Sequence, residues 1–258
     1  MKFRQEKSKR KGRHRFMQKY FQKIYCDGFE QFVNLLEDKM DKDEKTFVIT
    51  ANPETLMIGG DTPAFDEILK SDETIIVPDG IGVVKAAQML NIPVKERVTG
   101  VEIVQKLFEM LDKKNKSLYL LGAKQDVLEK LVERIEREYP NVKLLGYRDG
   151  YVKDKDAVFE QIAECKPDVV LVALGIPAQE QLIYKHYDKF SKGIFVGVGG
   201  SFDVLSGTKK RAPKIFIKLN LEWLYRIAKE PKRIKRFYVS NVKFISKIQK
   251  MKRQTNED

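Results

Sequence analysis

The stretch "DVVLVALG", residues 168–175, decides the fold. Its centre is continuously apolar and rich in valine, which is typical of a strand covered on both faces, and a glycine ends it. Residues 177–190, "PAQEQLIYKHYDKF", have the composition of a helix. The order of strand, glycine turn and helix is that of one unit in a parallel α/β sheet.

The same unit recurs along the chain. "SLYLLG" (117–122) precedes a helix-like segment, and "GIFVGVGGSFDVLSG" (193–207) is a strand that ends in a glycine turn. Towards the N-terminus, "TFVIT" (46–50) and "TIIV" (74–77) are further apolar strands. This alternation predicts the fold class α/β: a Rossmann-like, mostly parallel sheet with helices on both faces, plus a basic helical C-terminal appendage.

Charge divides the chain into three parts. Residues 1–24 hold ten Lys/Arg and one acid, and residues 208–258 hold sixteen Lys/Arg and four acids. Because these segments carry +9 and +12 of a total of +12, residues 25–207 carry −9. We therefore expect a basic N-terminal arm (1–24), an α/β core (25–207) and a basic amphipathic appendage (208–258). Such arms bind nucleic acid or anionic membranes, although a solubilising tail is the alternative for the first fifteen residues.

Composition argues against several classes of protein. Cys26 and Cys165 form no CxxC motif, which suits a reducing cytosol and excludes a disulfide framework. With only His14 and His186, a multi-histidine metal site is excluded, and a Ser-His-Asp triad would have to rest on His186. We expect no signal peptide and no membrane span, because no sufficiently long apolar run is present.

Polar residues follow the first two strands. In "TIIVPDGIGVV" (74–84), Asp79 enters a glycine-rich turn and could be a helix cap, a sugar or ribose ligand, or a catalytic base. The neighbouring glycines would leave room for a bulky substrate. In "ITANPET", Thr50 and Asn52 end a strand. Asn52 before a proline favours a helix cap, with sugar binding as the alternative.

Glycine turns follow the later strands. Gly122, Gly175 and the pair Gly199–Gly200 each follow an apolar strand, which is where α/β sheets bind nucleotides, although ordinary turns explain them equally well. The segment 179–181, "QEQ", begins the next helix and would face this crevice, unless it is simply a polar first turn.

Arginines provide candidate anion ligands. Arg97 lies in a loop before a helix, where it could reach an anion or be a solvated charge. Arg226, Lys229, Arg233 and Arg236 are spaced by three, four and three residues, so a helical backbone would place them on one stripe. That stripe could clamp a diphosphate or lie against anionic lipid. The acid-x-acid segments at 41–43 and 153–156 do not follow strands into the crevice, so we predict no metal site.

Nine segments, in order, resemble the WecG/TagA/CpsF glycosyltransferase family over roughly residues 46–240. They are "TANPE" (50–54), "PDGIGVV" (78–84), "RVTGVE" (97–102), "LGAK" (121–124), "GYRDGY" (146–151), "ALGIPAQEQ" (173–181), "GVGGSFDVLSG" (197–207), "RAP" (211–213) and "LEWLYRIAKEPKRIKR" (221–236). Residues 1–45 show no such match.

The resemblance implies an inverting UDP-sugar-dependent hexosyltransferase that uses no cofactor. It would move N-acetylmannosamine from a UDP donor to N-acetylglucosamine on undecaprenyl diphosphate, in the synthesis of wall teichoic acid or a related surface polysaccharide. N-acetylmannosamine uronate, glucose and galactose remain alternative donor sugars. The implied location is cytoplasmic, at the anionic inner face of the plasma membrane. The sequence does not determine whether the chain forms a homo-oligomer.

The resemblance also implies roles for individual residues. Asp79 would be the general base, with Thr50 and Asn52 lining the acceptor and sugar pocket. Arg97, Gln181, Arg226, Arg233 and Arg236 would bind substrate or its phosphates, and Tyr151, Gly175, Gly200, Ser201 and Asp203 would form the UDP pocket. The arginines would stabilise the departing diphosphate, since the sequence offers no convincing metal site.

Two other classes compete with this interpretation. A nucleic-acid-binding protein would use the basic arms, yet its core would be expected to be basic rather than net negative. A nicotinamide-dependent oxidoreductase would need a GxGxxG fingerprint and an acid about 20 residues later, and the sequence has neither.

Overall fold

The computed structural model describes residues 17–255, apart from the side chains of Arg233, Lys235, Arg236, Gln254 and Thr255. Its centre is a sheet of parallel strands: β1 (Thr46–Ala51), β2 (Thr74–Pro78), β3 (Ser117–Gly122), β4 (Lys143–Arg148), β5 (Val169–Ala173) and β6 (Ile194–Gly197). Their spatial order is β2-β1-β6-β5-β3-β4. The predicted α/β class with a parallel sheet is confirmed.

Helices connect the strands. They are α1 (Phe29–Asp41), α2 (Pro53–Asp61), α3 (Pro63–Lys70), α4 (Ile81–Met89), α5 (Gly100–Lys114), α6 (Gln125–Glu138), α7 (Lys155–Cys165), α8 (Ala178–His186), α9 (Ser201–Leu205), α10 (Lys214–Lys218), α11 (Glu222–Lys229) and α12 (Arg233–Thr255). A short 3-10 helix, Tyr187–Lys189, follows α8.

The strands other than the edge strand β4 bury both faces, which explains their continuously apolar sequences. In β1, Phe47 and Ile49 point into one hydrophobic cluster, while Val48 points into the other. The first cluster contains residues of α2, α3, α4, α7, α8 and α12, and the second contains residues of α1, α5, α6 and α9. Helices therefore cover both sides of the sheet, as predicted.

Both ends of the described chain contribute to the first cluster. Residues 17–22 are helical, and Phe21 is fully buried there. Phe244, Ile248 and Met251 of α12 are buried in the same cluster, and the ring of Phe244 stacks on that of Phe21 with centroids 6.4 Å apart. The segments expected to be an arm and an appendage thus each supply apolar side chains to the core.

The amino ends of three strands meet at one buried carboxylate, Asp168. Its oxygens accept hydrogen bonds from the Ser117 amide (2.8 Å), the Ser117 hydroxyl (2.6 Å), and the Lys192 (2.7 Å) and Lys116 (3.3 Å) ammonium groups. The Asp168 carbonyl also accepts from the Ile194 amide at 2.9 Å. The polar contacts lie at the end of the sheet opposite the glycine turns, so their effect is on stability.

Among the helices within residues 17–255, none is both long and apolar enough to cross a bilayer.

Candidate active site

The carboxyl ends of β1 and β2 place Asp79 at the sheet's edge. The amides of Asp79 and Gly80 donate to the carbonyl of Ala51 at 3.0 and 3.1 Å, which fixes the turn after β2 on the end of β1. A Cβ on Gly80 would lie 3.0 Å from the Cβ of Asn52 and 2.9 Å from the Cδ of Pro53. Glycine here allows the two turns to pack closely, which differs from the expected role of leaving room for substrate.

Three side chains converge on Gly100, the first residue of α5. A Cβ at Gly100 would lie 3.3 Å from Thr50 Cγ2 and 3.7 Å from both Asp79 Oδ2 and Ser201 Oγ. These residues come from the ends of β1 and β2 and the start of α9, so the fold assembles them from distant parts of the sequence. The absence of a side chain at Gly100 lets these three side chains approach the first turn of α5 closely.

The environment of Asp79 increases its proton affinity. Burial of the partly buried side chain raises the pKa of Asp79, and the guanidinium groups of Arg97 and Arg226 and the backbone amide of Gly100 oppose this without cancelling it. The carboxylate of Glu222 raises the pKa further. A carboxylate whose pKa lies above its usual range is a better proton acceptor, as a general base requires.

Thr50 and Asn52 already have structural hydrogen bonds. The Thr50 hydroxyl donates to the carbonyl of Gly197 at 3.1 Å, so it links β1 to β6 and keeps its acceptor lone pairs for another group. Asn52 Oδ1 accepts hydrogen bonds from the backbone amides of Glu54 (2.8 Å) and Thr55 (3.1 Å). The Thr55 hydroxyl oxygen accepts one from the backbone amide of Asn52 (3.1 Å). This capping box begins α2 and confirms the cap that the sequence favoured.

Glu222 forms ion pairs with two arginines of the site. Its carboxylate lies 2.8 Å from Arg226 Nη2 and 3.5 Å from Arg97 Nη2, which brings α11 over the loop before α5. Burial works to raise the pKa of Glu222, but the guanidinium groups of Arg226, Arg211 and Arg97 outweigh it and lower the pKa. The sequence signal was the spacing of four residues between Glu222 and Arg226, which places them on one helical face. The contact with Arg97 had no local signal.

Gln179 and Glu180 lie buried beneath the glycine turns. Gln179 Oε1 accepts from the amides of Gly175 and Gly199, each at 3.1 Å, and its Nε2 donates to Glu180 Oε1 at 2.8 Å. Burial raises the pKa of Glu180 to about 7 despite the contact with Gln179. The sequence placed this pair at the crevice, but its burial was not foreseen.

The structure does not bring the remaining predicted residues together in one pocket. Gly200 and Ser201 begin α9, and Asp203 lies 3.5 Å from Lys209. Tyr151 is 73% exposed in the loop after β4. Gln181 lines a separate groove of about 600 Å³, together with Lys153, Asp154, Lys155, Asp156, Leu174, Ala178, Leu182 and Lys185. The side chains of Arg233 and Arg236 lie outside the described residues.

Within residues 17–255, His, Cys, Asp and Glu side chains form no group of three or more that could hold a metal ion. Arginines, in contrast, surround Asp79 and Glu222.

Comparison with known proteins identifies relatives over most of the chain. Residues 21–258 match the model of the "Glycosyl transferase WecG/TagA/CpsF family". The chain is 40% identical over 223 residues to a protein of Bacillus spizizenii strain W23 (86% of each chain). It is 42% identical over 206 residues to one of Bacillus subtilis strain 168 (80% of each). It is 37% identical over 209 residues to one of Staphylococcus aureus strain MW2 (81% of each).

These three relatives share the name N-acetylglucosaminyldiphosphoundecaprenol N-acetyl-beta-D-mannosaminyltransferase. The family match extends through both the sheet and the C-terminal helices, and it includes the segment that carries Asp79. The chain therefore belongs to the WecG/TagA/CpsF family and is a glycosyltransferase.

Proposed function

We propose that the chain transfers N-acetylmannosamine from a UDP donor to N-acetylglucosamine on diphosphoundecaprenol, with inversion at the anomeric carbon and without a metal ion. The names of the relatives support the sugar and the acceptor. The observation that carries the proposal is Asp79, a carboxylate of raised pKa at the end of β2 with Arg97 and Arg226 acting on it.

Asp79 would act as the general base. As the acceptor hydroxyl attacks the anomeric carbon, Asp79 takes its proton and the new glycosidic bond forms. The bond from the anomeric carbon to UDP breaks on the opposite face, and its electron pair leaves with the diphosphate. Thr50 and Asn52, on the neighbouring strand end, would hold the sugar and acceptor beside Asp79.

Arginines would stabilise the leaving group. Arg97 and Arg226 already hold one carboxylate, that of Glu222, and a diphosphate presents the same kind of anionic oxygens with more charge. The donor would therefore compete with Glu222 for these guanidinium groups. Arg233 and Arg236 would add to this charge. Such cations can supply the stabilisation that a metal provides in other transferases.

The glycine turns would receive UDP. Gly175 and Gly199 have positive φ angles of 80° and 48°, and a Cβ at either would meet nothing within 4 Å, so both turns border open space. Gly200, Ser201 and Asp203 follow directly at the start of α9, beside the Asp79 site. Tyr151 would contribute from the loop after β4, and Gln181 would contribute from the groove that it lines with Leu174 and Ala178, next to the Gly175 turn.

The C-terminal helices would dock on the anionic inner face of the membrane. The exposed large apolar side chains of the described residues are mostly found there: Ile215, Leu219, Leu224, Ile234, Tyr238, Val239 and Val242. Lysines and arginines alternate with them along the same helices. Apolar insertion and attraction to anionic lipid would act together, and would bring the site to its lipid-linked acceptor.

The test is UDP release from UDP-N-acetylmannosamine with a lipid-diphosphate N-acetylglucosamine acceptor and a metal chelator. We expect Asp79→Asn to lower kcat by roughly 10²–10⁴-fold, the usual worth of a general base. Asp38→Asn, on the exposed surface of α1, is the matched control. Near-normal turnover by Asp79→Asn would show that Asp79 is not the general base. Loss of activity in the presence of the chelator would contradict metal independence. Preference for another UDP-sugar would contradict N-acetylmannosamine as the sugar that is transferred.

A further inference from the structure

One side-chain oxygen joins the two glycine turns of the crevice. Gly175 follows β5 and Gly199 follows β6, and the amides of both donate to Oε1 of Gln179 at 3.1 Å. Gln179 is 1% exposed, so these bonds are shielded from water. The separation of the two turns therefore depends on a side chain that lies underneath them and does not face the open crevice.

Glu180 fixes the direction in which the Gln179 amide points. Gln179 Nε2 donates to Glu180 Oε1 at 2.8 Å, and Glu180 is likewise 1% exposed. A carboxylate oxygen accepts hydrogen bonds, whereas the two ends of an amide differ, one accepting and the other donating. If the amide of Gln179 were reversed, its NH₂ group would face two backbone N–H donors and its oxygen would face Glu180.

The strand beneath is shaped to admit this pair. A Cβ on Gly197 of β6 would lie 2.6 Å from Gln179 Nε2 and 2.9 Å from Glu180 Oε1, so only glycine leaves the required space. The carbonyl of the same Gly197 accepts from the Thr50 hydroxyl at 3.1 Å. The support under the turns is thus continuous with the strand end that borders Asp79.

We propose that Gln179 is a positioning residue that sets the distance between the Gly175 and Gly199 turns. That distance determines the affinity of the crevice for the diphosphate of a nucleotide. Glu180 holds the side-chain amide of Gln179 in the orientation that accepts hydrogen bonds from both turns. This rests on the proposed function for the identity of the nucleotide, UDP. Gln179 acts through the backbone of the turns, because its own polar atoms are already bonded within the protein.

The experiment compares three variants at these two positions. Gln179→Met and Glu180→Met keep the length of the side chain but remove its hydrogen bonds. Glu180→Gln retains an oxygen that can accept a hydrogen bond from Gln179. UDP affinity is measured by calorimetry, and hydrogen exchange of the Gly175 and Gly199 amides is measured by NMR. Gln125→Met is the matched control, because Gln125 is exposed and bonds only to Glu129 among the described residues.

We expect both methionine variants to bind UDP about tenfold more weakly or worse, since two or more buried hydrogen bonds are lost or misdirected. Hydrogen exchange at the Gly175 and Gly199 amides should be faster in the methionine variants, and their KM for the donor should rise more than their kcat falls. Glu180→Gln should recover most of the UDP affinity that is lost in Glu180→Met. If Gln179→Met does not fold, the two Glu180 variants decide alone.

Unchanged UDP affinity and unchanged amide exchange in the methionine variants would overturn the proposal. So would a Glu180→Gln variant that is as impaired as Glu180→Met. Failure of the proposed function has a different signature: the wild type would then release no UDP in the turnover assay, while the exchange rates of the two amides would still report on the role of Gln179.

Discussion

Replacing Asp168 by asparagine should destabilise the fold without touching the site. Asp168 accepts four hydrogen bonds, from Ser117 and two lysines, at the amino ends of β3 and β5. Burial alone would raise its pKa, but the bonds from Lys192 and Ser117 outweigh burial and lower the pKa from 3.8 to about 2. The native state therefore favours the carboxylate strongly over the neutral acid.

The size of the effect follows from that pKa. A lowering from 3.8 to about 2 is worth about 2.5 kcal/mol of stability at neutral pH. Asparagine keeps one accepting oxygen but loses the charge that the lysines contact, so we expect a loss of about 2 kcal/mol. For a chain of this size, that corresponds to a fall in Tm of about 5 °C.

The dependence on pH has a defined sign. Because the folded pKa is depressed, the contribution of Asp168 is complete above the unfolded value of 3.8 and is lost as the pH falls towards 2. Urea unfolding between pH 5 and pH 2 should therefore show this loss in the wild type, and Asp168→Asn should lack that part of it.

Asp38→Asn is the control for Asp168→Asn. Asp38 pairs with Lys42 at 2.8 Å on the surface, where both side chains are more than half exposed, and such pairs contribute about 0.5 kcal/mol or less. The reasoning is refuted if Asp168→Asn costs no more than Asp38→Asn at neutral pH. It is also refuted if the two variants and the wild type lose stability identically between pH 4 and pH 2.

Two further predictions concern the site and the membrane. Glu222→Gln removes a carboxylate that raises the pKa of Asp79, so the acid limb of the kcat/KM profile should move to lower pH, and a limb that stays in place or moves up would contradict the proposed coupling. Leu219→Ser and Leu224→Ser should each weaken flotation with anionic liposomes, because each removes an exposed apolar side chain from the C-terminal helices. Leu145→Ser makes the same change on the exposed strand β4 and should not weaken flotation. Equal flotation by all three variants would argue against docking through the C-terminal helices.

The fold was largely predictable because the sheet is buried on both faces. Apolar runs such as 168–175 must then alternate with amphipathic helices, and both patterns are local in the sequence. The neighbour relations of the strands were not predictable, because β6 pairs with β1 across about 150 residues and no local pattern encodes that register.

The candidate site was predictable only in part. The position of Asp79 at the end of a strand follows from the sequence, and the cap at Asn52 follows from the proline behind it. The meeting of Arg97 with Glu222 depends on how α11 folds back over the sheet, which is a tertiary property. Burial of Gln179 against Gly197 depends on tertiary packing beneath the glycine turns, and the polar composition of residues 179–181 did not predict it.

The stacking of Phe21 on Phe244 has a consequence for biosynthesis. During translation, residues 17–22 emerge long before their partner, so one apolar side of the nascent protein stays uncovered until residues 244–251 have left the ribosome. The same cluster supports β1 and β2, whose ends carry Thr50 and Asp79. The ends of β1 and β2, and with them the candidate site, should therefore reach their final packing only after residues 244–251 have been synthesised.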